Sequence, residues 1–140
     1  MKRREPVSKI MSTDLVTINH TNSLFDAEKL FNKHKIRHIP VVNNKQIIGI
    51  LSLTDLLRIS FVDNYGEDED SQVDTAVYNM LSIEQVMVKD PVHIAPSLTI
   101  KEVAEILAKK EFHALPVVEN GELIGIVTTT DLLNYLLEQY

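Results

Sequence analysis

Two heptapeptides contain the residues best able to do chemistry, Gly49-Ile50-Leu51-Ser52-Leu53-Thr54-Asp55 and Gly125-Ile126-Val127-Thr128-Thr129-Thr130-Asp131. Both reduce to Gly, two apolar residues, a hydroxyl residue, two variable positions and Asp. At a strand-to-helix turn, a hydroxyl and a carboxylate three apart converge beside the amide-rich helix start. An ionised carboxylate accepts two hydrogen bonds at once, which suits the vicinal 2′ and 3′ hydroxyls of a ribose. The glycine lets another group approach the backbone closely. The same residues also read as ordinary N-caps of a Leu-rich helix, and duplication copies a cap as faithfully as a ligand contact. The two roles are compatible, because a carboxylate has more than one acceptor site.

The elements that must position these residues also occur twice. Pro40-Val41-Val42 returns as Pro116-Val117-Val118, and Thr54-Asp55-Leu56-Leu57 as Thr130-Asp131-Leu132-Leu133, always 76 positions on, as 55 and 131 are. Residues 7–61 and 83–137 therefore align without a gap. With only two copies of a long unit, this reads as an intramolecular pseudo-dimer with two equivalent clefts, not a solenoid. Each copy follows the order helix-strand-helix-strand-strand-helix, an α/β pattern. Val7 to Met11 and the segment after Ser82-Ile83-Glu84-Gln85 read as short opening helices, and Val16 to Ile18 and Val92 to Ile94 as short strands. Ser23-x-x-Asp26 and Thr99-x-x-Glu102 cap helices that bury Ala27, Leu30 and Phe31, or Val103, Ile106 and Leu107. Ile39 to Val42 with Ile47 to Leu51, and Leu115 to Val118 with Leu123 to Val127, read as hairpins. A last helix starts near Asp55 or Asp131.

These boundaries divide the chain into repeat one, 1–61, an acidic linker, 62–82, and repeat two, 83–140. The linker run Glu67-Asp68-Glu69-Asp70 self-repels and reads as solvated chain, since it lacks the alternating oxygen ligands and closing Glu of a calcium loop. Thr75 to Leu81 is expected to form a short helix. A net charge of −6 argues against binding a nucleic-acid backbone. The absence of cysteine removes thiolate nucleophiles, thiolate zinc sites and disulfides, and fits a cytoplasmic protein. No apolar run approaches the roughly 20 residues that span a bilayer, and no signal-peptide pattern opens the chain, so no membrane association is expected.

The blocks from His38-Ile39-Pro40-Val41-Val42 to Asp55 and from Ala114-Leu115-Pro116-Val117-Val118 to Asp131, with the openings Met11 to Ile18 and Met87 to Ile94, resemble tandem CBS domains, the regulatory modules named after cystathionine beta-synthase. The resemblance covers nearly the whole chain apart from its N-terminal tip and the linker. It implies two repeats packed as a pseudo-twofold pair, with two clefts for adenosyl compounds: AMP, ADP, ATP or S-adenosylmethionine. It further implies that Asp55 and Asp131 hold ribose hydroxyls and that Ser52 and Thr128 bond ribose or phosphate. Basic residues before the Pro-Val-Val strand would face the phosphates. Those positions hold Arg37 and His38 in one copy, but His113 and Ala114 in the other, so unequal clefts are expected. Clefts in such modules are composite: the Asp55 cleft would borrow Leu98, Val103 and Phe112, and the Asp131 cleft Asn22, Ala27 and Ile36. As apolar periodic residues, most of these also read as plain core.

Catalysis is the competing class. The chain has no nucleophile elbow, no H-E-x-x-H and no phosphate loop, and His20, His34 and His93 show no metal-ligand spacing. A non-catalytic sensor is expected, with an adenosine nucleotide as regulatory ligand, no required cofactor and no metal. A symmetric homodimer is expected to bury helix faces that one pair leaves exposed, and the regulated protein is expected to act in trans. The alternatives are a ligand-free dimerisation module and an S-adenosylmethionine sensor.

Overall fold

The computed structural model describes residues 4–63, 78–110 and 113–140, with the side chains of 60–63 not described. The acidic run Glu67 to Asp70, Phe112 and most of the expected Thr75 to Leu81 helix lie outside the described residues, although residues 78–80 are helical. Two compact units are present: Val16–Asp90, and a unit assembled from Met1–Leu15 with Pro91–Tyr140. Each unit takes its sheet, hairpin and last helix from one repeat and its opening segment from the other.

In the Val16–Asp90 unit, β1 (Ile18–Asn19) leads into α1 (Leu24–His34), β2 (His38–Asn43), β3 (Gln46–Ser52) and α2 (Leu53–Asp63). Short α3 (Ile83–Val86) and β4 (Val88–Lys89) follow. The helix α1 starts where expected, because Ser23 Oγ accepts from the Asp26 amide while the Asp26 carboxylate accepts from the Ser23 amide. It stops at Lys35, which turns left-handed at φ 56°. The strand order is β1-β2-β3-β4, with β1 parallel to β2 and the other neighbours antiparallel. The β2–β3 hairpin turns at Asn44, which has a positive φ, and a bulge after Val41 places Val41 opposite Gly49. Strand β4 was not expected. It pairs Lys89 with Gly49 and Val88 with Ile50, bringing the Met87 thioether against the face of Gly49. Gly49 thus does admit a close neighbour, and that neighbour is a side chain of the chain itself. Leu24, Ala27, Phe31, Ile39, Val41, Leu51, Leu56, Tyr78, Ile83 and Met87 form the core.

The other unit repeats this plan in a more weakly paired form. A single 3₁₀ turn, Val7–Lys9, stands where a short helix was expected. Helix α4 (Ile100–Lys109), strands β5 (Ala114–Glu119) and β6 (Glu122–Thr128), and α5 (Thr129–Glu138) complete it. The β5–β6 hairpin has the same bulge, after Val117, and turns through Asn120 and Gly121, both at positive φ as a type I′ turn requires. The expected Val92 to Ile94 strand is reduced to one parallel bridge, Ile94 to Val117. Ser12 bridges Ile126, and Met11 lies over Gly125, where an added Cβ would come within 2.7 Å of its Sδ. The N-terminal segment is held by Val7 N–H to the Leu98 carbonyl (2.7 Å) and by the Ile100 N–H to the Glu5 carbonyl (2.8 Å). Val7 has no exposed surface, and burying such a side chain stabilises by about 1.5–3 kcal/mol.

Candidate functional site

In each unit the candidate residues lie at the hairpin end where the second long strand passes into the last helix. In the Val16–Asp90 unit, His38 opens β2 directly opposite Ser52, the last residue of β3. The carbonyl of exposed Arg37 accepts from the Leu53 amide at 2.9 Å, fastening the start of α2 to the loop before β2. Strand pairing and this backbone bond therefore bring the backbones of Arg37 and His38 beside the Ser52-to-Asp55 turn. Ser52 Oγ accepts the Asp55 amide at 3.0 Å. The Asp55 carboxylate is engaged through Oδ1, which receives Arg58 Nη1 at 3.0 Å, while its side chain stays 22% exposed and that of Arg58 66%.

The Pro91–Tyr140 part of the other unit builds the same corner with a different use of its aspartate. Ala114 lies opposite Thr128, and the carbonyl of exposed His113 accepts the Thr129 amide at 3.0 Å. Thr128 Oγ1 accepts from the Asp131 amide at 3.2 Å, and Asp131 Oδ2 accepts from the Thr128 amide at 2.9 Å, a complete capping box. Helix α5 thus begins at Thr129, and α2 at Leu53, each two residues before the aspartate expected near the start. Among the described residues, Asp131 Oδ1 and Asp55 Oδ2 accept no hydrogen bond. Each corner therefore combines a capping role with one carboxylate oxygen that accepts no hydrogen bond among the described residues, so capping does not use up the acceptors of either aspartate.

The residues expected to complete the clefts are placed less uniformly. Ala27 and Val103 have no exposed surface and sit in the hydrophobic clusters of their own units. Ile36 and Leu98 are half-buried against the same clusters. Asn22 is exposed, its Oδ1 accepting the Asn19 amide at 2.9 Å in the turn before α1. Arg58 was not among the expected residues, although Asp55-x-x-Arg58 has the spacing of an ion pair on one helix face. The residue 76 positions on is Asn134, which has no charge. Among the described residues, no group of three or more His, Asp or Glu is placed to hold a metal, and no helix is long and apolar enough to cross a membrane.

The CBS domain family model matches residues 7–61 and 83–138, two stretches that each contain one of these Ser/Thr-x-x-Asp corners. The chain belongs to the CBS domain family, as a tandem pair of α/β repeats. It is similar to inosine-5′-monophosphate dehydrogenase of Korarchaeum cryptofilum, with 31% identity over 120 residues, which is 85% of this chain and 22% of that enzyme. The chain thus spans about a fifth of the length of that relative. The crystal structure of the Arabidopsis thaliana CBS-pair protein CBSX2 with AMP superposes with a TM-score of 0.79 at 23% identity, covering 96% of this chain and 98% of that one. The CBS domain pair of protein MJ0100, solved with 5′-methylthioadenosine and S-adenosyl-L-methionine, gives 0.77 at 23% identity, with 96% and 98% covered. These neighbours share the fold, and each is solved with adenosyl compounds.

Proposed function

We propose that this chain is a regulatory module that binds an adenosine nucleotide, AMP, ADP or ATP, and passes its occupancy to a partner protein. The observation that carries this reading is the paired Ser52/Asp55 and Thr128/Asp131 corner, in which each aspartate keeps one acceptor oxygen uncommitted while its hydroxyl partner caps the helix. Ribose hydroxyls donate to Asp55 and Asp131, Ser52 and Thr128 reach ribose or phosphate, and exposed Arg37 with His38, or His113, meet the phosphates. The AMP carried by a structural neighbour supports this ligand class. Calorimetry with AMP, ADP, ATP, S-adenosylmethionine and the guanine equivalents tests it, and the reading fails if no adenosyl compound binds at millimolar concentration.

S-adenosylmethionine is the second reading, and the Asp131 corner favours it. Ala114 and Asn134 stand where the other copy has His38 and Arg58, so this corner has fewer cations for phosphates and suits a ligand without them. MJ0100 carries such ligands. We also infer self-association. Helix α5 leaves Leu133, Leu136 and Leu137 exposed at 55%, 41% and 69%, an apolar face that a second copy would cover.

A further inference from the structure

Resting on the nucleotide reading above, we propose that Arg58 sets the phosphate requirement of the Asp55 site, by exchanging from the Asp55 carboxylate to a ligand phosphate when a nucleotide binds. Arg58 Nη1 occupies Asp55 Oδ1 at 3.0 Å, the acceptor a ribose hydroxyl would need for a two-oxygen contact. The pair is held loosely: the Arg58 side chain is 66% exposed, and surface pairs between long side chains are weak. Ribose binding at Asp55 therefore displaces the guanidinium at small cost. A guanidinium fork prefers a phosphate once its carboxylate is taken, because it meets phosphate oxygens with two parallel donors. A nucleoside without phosphate breaks the ion pair and supplies no replacement. A nucleotide breaks it and returns a stronger one, so Arg58 favours AMP over adenosine at this site.

The other repeat contains the natural control. Its equivalent residue is Asn134, and its Asp131 is held by the Thr128 amide at 2.9 Å and, among the described residues, by no cation. Ribose there meets no ion pair, and phosphate gains no exchanging partner, so the Asp131 site discriminates less between AMP and adenosine.

The test is a pair of titrations, AMP and adenosine, followed by amide NMR at Asp55 and Asp131, which report the two corners separately. In Arg58→Asn, AMP affinity at the Asp55 amide should fall about tenfold, the usual size of one lost charge-assisted bond, with adenosine affinity unchanged or higher. Arg58→Lys should restore part of the AMP preference, and Asn134→Arg should create one at the Asp131 amide. An unchanged AMP-to-adenosine ratio at Asp55 in Arg58→Asn, or an equal loss for both ligands, overturns this role for Arg58 alone. A parent protein whose amides respond to neither ligand overturns the nucleotide reading, and this inference with it. The exposure of Arg58 makes the variants expected to fold, which their unliganded spectra verify directly.

Discussion

At the residue scale, conservative substitution separates the proposed ligand contacts of the two aspartates from the bonds they make within the fold. Asp131→Asn keeps an oxygen for the Thr128 amide and Asp55→Asn leaves the Ser52 cap in place, but both lose the charge that strengthens a ribose hydrogen bond. Ligand affinity should fall in each, while chemical denaturation of the unliganded protein shows a change below about 1 kcal/mol. Equal affinity in both variants for every ligand would leave the aspartates as caps only. The proposed phosphate side differs in charge between copies, because exposed Arg37 has no arginine counterpart beside Ala114. Arg37→Ala should therefore cost more AMP affinity than His113→Ala by calorimetry, and the reverse order would refute the asymmetry. Most of this corner was legible in the sequence, since hydroxyl-x-x-Asp is a local pattern and its capping bonds close within one turn. The Arg58 contact has an equally local signal, but a lone arginine on an exposed helix face is compatible with solvent, a phosphate or a carboxylate alike. Only the side-chain geometry shows which it holds.

At the element scale, the glycines before the candidate corners keep room for a methionine. A Cβ on Gly49 would meet the Met87 side chain and the Val88 carbonyl at 2.9 Å, whereas one on Gly125 would meet Met11 Sδ at 2.7 Å and the Ser12 carbonyl at 3.1 Å. The first site is the tighter, so Gly49→Ala should destabilise by about 1–3 kcal/mol and by more than Gly125→Ala, measured by urea unfolding. Equal effects would mean that the two opening segments yield alike. Helix starts α1 and α4 carry a pH dependence. The Ser23 amide bond holds Asp26 below its ordinary pKa, and the Thr99 amide bond does the same for Glu102, helped by their hydroxyls. A depressed folded pKa gives stability that is present above the unfolded value, about pH 4, and is lost as pH falls through the folded one. Acid melting curves should thus flatten in this window for Asp26→Asn and Glu102→Gln relative to the parent, and an unaltered curve would remove these caps from the acid response.

At the scale of the whole molecule, a ligand that binds only the folded chain must raise its stability. At about 100 times the dissociation constant, one site adds roughly 2.7 kcal/mol, a melting rise on the order of 9 °C for a chain of this size. AMP or another adenosyl compound should produce that shift in a thermal scan. Self-association is tested separately by sedimentation. Leu133→Glu with Leu137→Glu should give a smaller species than the parent, and a parent that sediments as a monomer would contradict a second copy on α5.

The sequence by itself determined the duplication, the order of elements, the hairpins and the caps, because each depends on periodicity or on bonds between residues a few positions apart. Ser23 with Asp26, Ser52 with Asp55 and Thr128 with Asp131 all close over three residues, so they can be read without knowing what lies elsewhere. What only the tertiary structure decided is where the opening segments go. Val88 pairs with Ile50 and Ser12 with Ile126, so each segment adds a strand or bridge to the hairpin of the other repeat. Two near-identical hairpins present the same edge amides and carbonyls and the same glycine notch, so local pattern cannot distinguish one from the other. The choice depends on contacts between residues distant in the chain, above all Met87 on Gly49 and Met11 on Gly125, and those exist only once the chain has folded.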